Sequence, residues 1–202
     1  MKERLYEVIP IDILTAIKAR RSIHNFKRDE IDHATLREIF TYGSYAPTHY
    51  MKEPWQIKLY EKEGKQNFVD AIITSYQRIG MLKASDDQKT QKMIVSMKQF
   101  LLQIPHHALI YFSEEEDPVR FEEEYAAVCA FIQNVQLAAW EYGIGMLWTI
   151  TPYMHDKGFA EDIGLDGETD KIAAVMQIGY PEKIPRDKGR TPIEDKLEFI
   201  SE

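Results

Sequence analysis

Apolar positions along the chain recur with two periods, and each period predicts an element. Ile13, Leu14 and Ile17 fall on one side of a short helix over 11–19, which ends at Arg20-Arg21-Ser22. Asp32 suits the N-cap of a second helix carrying Leu36, Ile39 and Phe40, and Gly43 and Pro47 end it. From 55 to 60, Trp55, Ile57 and Leu59 alternate with Gln56 and Lys58, the period of a strand. Phe68, Ala71, Ile72, Ser75, Tyr76 and Ile79 form one stripe of an amphipathic helix over 65–82. A more polar helix, rich in Lys, Gln and Met, follows over 86–102 and is closed by Pro105. Residues 108–112, 146–150 and 172–178 read as short strands, the middle one entered through a sharp turn at Gly143 and Gly145. Pro152 fits the first turn of a short helix containing Met154 and Phe159.

The stretch 122–142 is the most informative helix. From Tyr125 to Ile132 it is apolar all round, and such a helix has to be covered on every side. It is expected to be a long central core helix that a second subunit completes, which makes the protein a homodimer. The order helix, helix, strand, helices, strand, long helix, strand, helix, strand lacks regular βαβ alternation. It points to an α+β fold, a central mostly antiparallel sheet flanked by helices. A single domain over 1–202 is expected, with a helical insertion or lid at about 65–103.

Composition narrows the function. Apolar residues make 44% and charged residues 29% of the chain, with 10 Gly and 9 Pro, which excludes a disordered or collagen-like protein. One cysteine, Cys129, excludes an internal disulfide and a cysteine-rich zinc site. A net charge of −8 argues against nucleic acid as a partner. No run approaches a membrane span, and the charged start Met1-Lys2-Glu3-Arg4 is unlike a signal peptide, so a cytoplasmic location is expected.

Three segments carry candidate chemistry. In Arg20-Arg21-Ser22-Ile23-His24-Asn25-Phe26, two guanidiniums and a hydroxyl can hold a phosphate; the bland reading is a solvated basic helix end. Ala46-Pro47-Thr48-His49-Tyr50-Met51-Lys52-Glu53-Pro54-Trp55 is a polar loop stiffened by two prolines, a platform for a planar ligand or an ordinary connection into a core strand. In Lys188-Gly189-Arg190-Thr191-Pro192, two cations one residue apart point to the same side if the segment is extended; otherwise this is a solvated tail.

In their order and spacing these segments resemble the FMN-dependent nitroreductase family. The first resembles the family's RRSxRxF, the second its APSxxNxQPW. Glu141-Tyr142-Gly143-Ile144-Gly145-Met146-Leu147-Trp148 is similar to its LGLGxxW turn, and Gly179-Tyr180-Pro181 to its GYP strand end. The resemblance covers roughly 11–197. It implies a homodimer with FMN at the subunit interface, and NAD(P)H as electron donor to a nitroaromatic, quinone or similar small-molecule acceptor. It also implies that Arg20, Arg21, Ser22 and His24 contact the flavin, with Arg20 the best match to a phosphate ligand. Pro47, Thr48, His49 and Met51 would run beside the isoalloxazine ring, Trp148 and Thr149 would pass near its redox face, and Lys188 and Arg190 would reach the phosphate. No side chain is expected to act as catalyst, since flavin N5 carries the chemistry, and no metal is expected. The chain departs from the pattern at His24, where Arg or Lys is usual, at Met51, where Asn is usual, and at Glu53, where Gln is common. Met51 has no amide to replace that of Asn. The alternatives are therefore a flavin-binding storage or sensing protein with little turnover, a flavin enzyme performing another reduction such as dehalogenation or ene reduction, and a helical adaptor without flavin.

Other residues draw plainer readings. His106 and His107 are adjacent at a strand start, so they point to opposite faces and cannot readily share an ion; at least one is expected in solvent. Cys129 reads as a buried structural thiol. Met81, Met93 and Met97 read as core packing or as an adaptable lid. The acidic runs 114–117 and 122–124 read as a solvated turn and helix start.

Overall fold

The computed structural model describes residues 12–83 and 87–201. Ile11 and Asp86, at the starts of two expected helices, lie outside them. Four strands make one sheet, antiparallel throughout, in the order β1 (Gln56–Tyr60), β2 (His106–Ser113), β4 (Asp170–Gly179) and β3 (Gly145–Thr149). The two inner strands are nearly continuous apolar runs because both faces of the sheet are covered. Ala108, Ile110 and Phe112 of β2, with Ala174, Met176 and Ile178 of β4, pack under α5 (Pro118–Glu141). Leu109, Ile172 and Val175 pack on the other side with Phe68, Ala71 and Ile72 of α3 (Gly64–Arg78) and Phe159 of α6 (Lys157–Asp162).

α5 starts four residues before the expected helix start at 122, because Asp117 caps it by accepting the Val119 N–H at 3.0 Å and Pro118 occupies its first turn. Among the described residues, the chain buries one side of it. Ala127, Val128, Phe131, Ile132, Val135 and Ala139 are buried, whereas Ala130, Leu137 and Ala138 are half-buried and Ala126 is exposed. Cys129 is half-buried rather than enclosed. α2 (His33–Gly43), capped by Asp32, lies so close to α5 that a Cβ on Gly43 would stand 2.4 Å from Val135 Cγ2.

α1 (Ile13–Ala19) packs on the C-terminal part of α5 and buries only Ala16. Its apolar stripe is where the periodicity places it, yet Ile13, Leu14 and Ile17 are 59, 64 and 52% exposed. Within the stretch expected as an insertion, α3 is a core helix, with Phe68, Val69 and Ile72 buried. α4 (Gln88–Gln103) buries Ile94 alone, in a small separate cluster with Ile73 and Leu82. Met97 packs against that cluster; Met81 and Met93 are exposed.

The expectation of a solvated histidine is corrected by the fold, which buries both. Each meets a backbone partner on its own face. His106 Nε2 accepts the Ile31 N–H at 3.0 Å, while Nδ1 faces Glu61 at 3.4 Å. His107 Nε2 donates to the Leu101 carbonyl at 2.9 Å, beside Lys65, whose ammonium donates to the carbonyls of Leu102 and Ile104. These bonds satisfy the carbonyls that the end of α4 leaves open.

Candidate functional site

The chain leaving α1 runs along the outer edge of β3. Ser22 bridges Met146 in parallel, and the Ile23 N–H donates to the Met146 carbonyl at 3.1 Å. Gly145 makes this close approach possible, since a Cβ there would lie 2.4 Å from Ile23 Cγ1. Farther on, the Lys27 N–H donates to the Tyr180 carbonyl at 2.8 Å and the Glu182 N–H to the Asn25 carbonyl at 3.0 Å. The Arg20-Arg21-Ser22 segment is thereby joined to the start of the C-terminal tail.

That junction brings three guanidiniums together. Arg21 donates to the carbonyls of Lys18 (2.5 Å) and Arg20 (2.8 Å) and pairs with Asp187 at 2.9 Å. Arg190 approaches the same carboxylate at 4.0 Å. Arg20 is half-buried and, among the described residues, has no hydrogen-bond partner for its guanidinium. Burial first, then the charge of Arg190, then that of Arg21, hold its pKa below the ordinary arginine value. A half-buried cation facing two like charges is an arrangement an anion would stabilise.

Lys188 was expected to join Arg190 on one side of an extended segment. The segment is instead turned: Gly189 has φ +70° and its N–H donates to Asp187 Oδ1 at 3.1 Å. The alternation of an extended chain is lost there, and the charge of Arg190 bears on Arg20. His24 is exposed and lines a small cleft with Phe100, Gln103 and Glu182.

The second segment folds into a tight turn, His49–Met51, between α2 and β1. Tyr50, Met51 and Glu53 hold φ values of 49°, 55° and 47°, a region in which residues with side chains are uncommon. Pro47 and His49 are exposed, and Tyr50 and Met51 are 93 and 75% exposed. The Thr48 hydroxyl accepts the Glu53 N–H at 3.1 Å. Lys52 reaches across to Glu115 and Glu124, and a cavity of about 520 Å³ lies between this loop and the first turns of α5. The acidic runs are therefore only partly solvated, Glu124 being buried.

On β3, Trp148 packs against the α5 side of the core, and its indole N–H is buried without a partner among the described residues. The Thr149 hydroxyl donates to the Val175 carbonyl at 2.7 Å.

Within one chain these groups do not all meet. The loop at 47–52 docks at Glu124, near the start of α5, whereas α1 and the arginines that follow it lie toward Glu141 and Tyr142 at its other end. Seventeen helical rises, roughly 25 Å at 1.5 Å each, separate Glu124 from Glu141. Asp187, Lys52 and Glu124 are the polar residues that pattern reading missed; nothing local in the sequence marks them, because each finds its partner far along the chain.

A family model described as "Nitroreductase family" matches residues 17–180. The Bacillus subtilis protein named "Putative NAD(P)H nitroreductase YfhC" is 34% identical over 182 residues, 90% of each chain. The crystal structure of a nitroreductase-like family protein from Bacillus cereus superposes with a TM-score of 0.85 at 33% identity, covering all of both chains. An FMN- and NADPH-dependent nitroreductase, NfnB from sphigopyxis sp. strain HMH, shares the fold at a TM-score of 0.75 and 18% identity, over 95% of this chain and 100% of its own. The fold is the α+β, nitroreductase-like one, a four-stranded antiparallel sheet flanked by helices. The chain belongs to the nitroreductase family.

Proposed function

We propose that this protein is an FMN-dependent oxidoreductase that takes hydride from NAD(P)H and passes it to a nitroaromatic, quinone or similar acceptor, acting as a homodimer. The observation that carries the reading is Arg20: half-buried, without a hydrogen-bond partner among the described residues, and pressed by Arg190 and Arg21. That donor set fits the phosphate of FMN, which bidentate guanidiniums bind well. When bound, the flavin supplies the two-electron chemistry, and the protein supplies position and electrostatics.

In this reading Arg20 and Arg190 hold the phosphate, and Arg21 ties the tail to α1 through Asp187. Ser22 adds a hydroxyl in the same segment. The loop from Pro47 to Met51 forms the wall beside the isoalloxazine. Because loop and arginines stand at opposite ends of α5, the loop of one subunit completes the site of the other. The uncovered faces support the same assembly: Ile13, Leu14 and Ile17 are exposed, and α1 and α5 leave a cavity of about 340 Å³ between them.

The test begins with the absorption spectrum of the purified protein and identification of any pigment released. FMN-loaded protein should sustain oxidation of NADH or NADPH beyond one equivalent per flavin when a nitro or quinone acceptor is added. Met51 favours a second reading, a flavin holder with little turnover, because it brings no amide to the ring wall. Loaded protein without acceptor-dependent oxidation would select it.

A further inference from the structure

We infer that Lys52 is a positioning residue, one that acts through the loop 48–53 to hold it in the shape the flavin ring meets. The inference rests on the reading of that loop as the ring wall. Three of its residues, Tyr50, Met51 and Glu53, sit in the left-handed region, and none is glycine. Such a backbone persists only where its surroundings over-determine it. Internal ties are few: the Glu53 N–H to the Thr48 hydroxyl at 3.1 Å, the Lys52 N–H to the His49 carbonyl at 3.1 Å, and a T-shaped contact of the His49 and Tyr50 rings with centroids 4.2 Å apart. Packing adds little. The Tyr50 and Met51 side chains are largely in solvent, and a cavity of about 520 Å³ separates the loop from the first turns of α5.

The ammonium of Lys52 is what crosses that gap. It donates to Glu115, in the turn before α5, and to Glu124, on α5 itself. Each acidic run thus contributes one carboxylate. Glu124 is 7% exposed, so its charge requires a counter-ion at that position. The hydrogen bonds raise the Lys52 pKa, Glu115 contributing most, so the clamp stays charged at neutral pH. The requirement is mutual: Lys52 neutralises a buried carboxylate, and the carboxylates pin the one loop residue whose neighbours on both sides are strained.

The test uses the full chain with Lys52→Met, which keeps the length of the stem and removes the charge, and with Lys52→Arg, which restores a donor. Amide hydrogen exchange over 48–53 in flavin-free protein and the FMN dissociation constant are both measured. Lys52→Met is expected to speed loop exchange and to weaken FMN binding by about tenfold or more, as the competent loop population falls. Lys52→Arg should recover most of both, and Glu115→Gln, which removes the more exposed partner, should give an intermediate loss. Unchanged exchange in Lys52→Met overturns the clamp. Faster exchange with unchanged FMN affinity overturns the positioning role. If Lys52→Met does not fold, wild-type exchange and affinity in Glu115→Gln overturn the proposal. Wild-type protein that takes up no FMN removes the flavin reading instead, and the exchange arm still reports on the clamp.

Discussion

Arg20 and Arg190, from opposite ends of the described chain, lie close enough that the charge of one depresses the pKa of the other. The contact is built by backbone: the segment after α1 joins the edge of β3 and then the start of the tail, and Asp187 pairs with Arg21 at 2.9 Å with Arg190 nearby. A carboxylate among three guanidiniums offsets part of their repulsion and leaves Arg20 for another anion.

Arg20→Ala should weaken FMN binding by about 10- to 100-fold, the loss expected for hydrogen bonds from a charged donor. Lys83→Ala, an exposed charge elsewhere, should change it little. Fluorescence titration with FMN measures both; equal affinity in the two variants contradicts the phosphate assignment.

Ile17→Asp places a charge in the exposed stripe of α1 without touching the core of its own chain. Sedimentation velocity should show a shift from dimer to monomer, with FMN retention lost even though Arg20 is intact. A monomer that keeps its flavin would show that one chain holds a complete site.

Acid should destabilise the protein through His107. Burial lowers its folded pKa to about 4, below the ordinary value of about 6.5. Between those values the unfolded chain binds the proton and the folded one does not. Stability is therefore full above about pH 6.5 and falls as pH drops toward 4, by up to roughly 3 kcal/mol from this one group. Denaturant unfolding at pH 7.5 and 5.0 should show that slope, and His107→Gln should reduce it. A slope unchanged in the variant would place the proton uptake elsewhere.

Gly145→Ala should cost about 1–3 kcal/mol, since its Cβ would stand 2.4 Å from Ile23 Cγ1 and 2.9 Å from Pro181 Cγ. Because Ile23 adjoins the arginine segment, FMN affinity should fall together with the melting temperature. A stability loss at unchanged FMN affinity would separate the edge contact from the arginine cluster.

Much of the fold was legible because it is local. The alternation at 55–60 and the apolar runs at 108–112 and 172–178 each lie inside a strand of the central sheet, apart from Trp55 just before the first. Asp32 caps α2 through the Thr35 N–H at 2.9 Å. The arginine segment was legible as a phosphate candidate from residue type alone. The histidines at 106 and 107 were misjudged because polarity says nothing of which backbone groups wait on each face. The turn at 187–190 was not legible as an extended run, because Gly189 adopts a left-handed φ of 70°.

By itself, then, the sequence determined the elements, their order and the kind of chemistry the arginines offer, since hydrophobic period, capping and turn residues act over a few positions. Only the tertiary structure decided that Arg190 bears on Arg20, that Lys52 spans Glu115 and Glu124, and that the loop and the arginines stand at opposite ends of α5. Those are meetings of groups far apart along the chain, and the physical interaction that makes each one depends on distance in space, which no local pattern encodes.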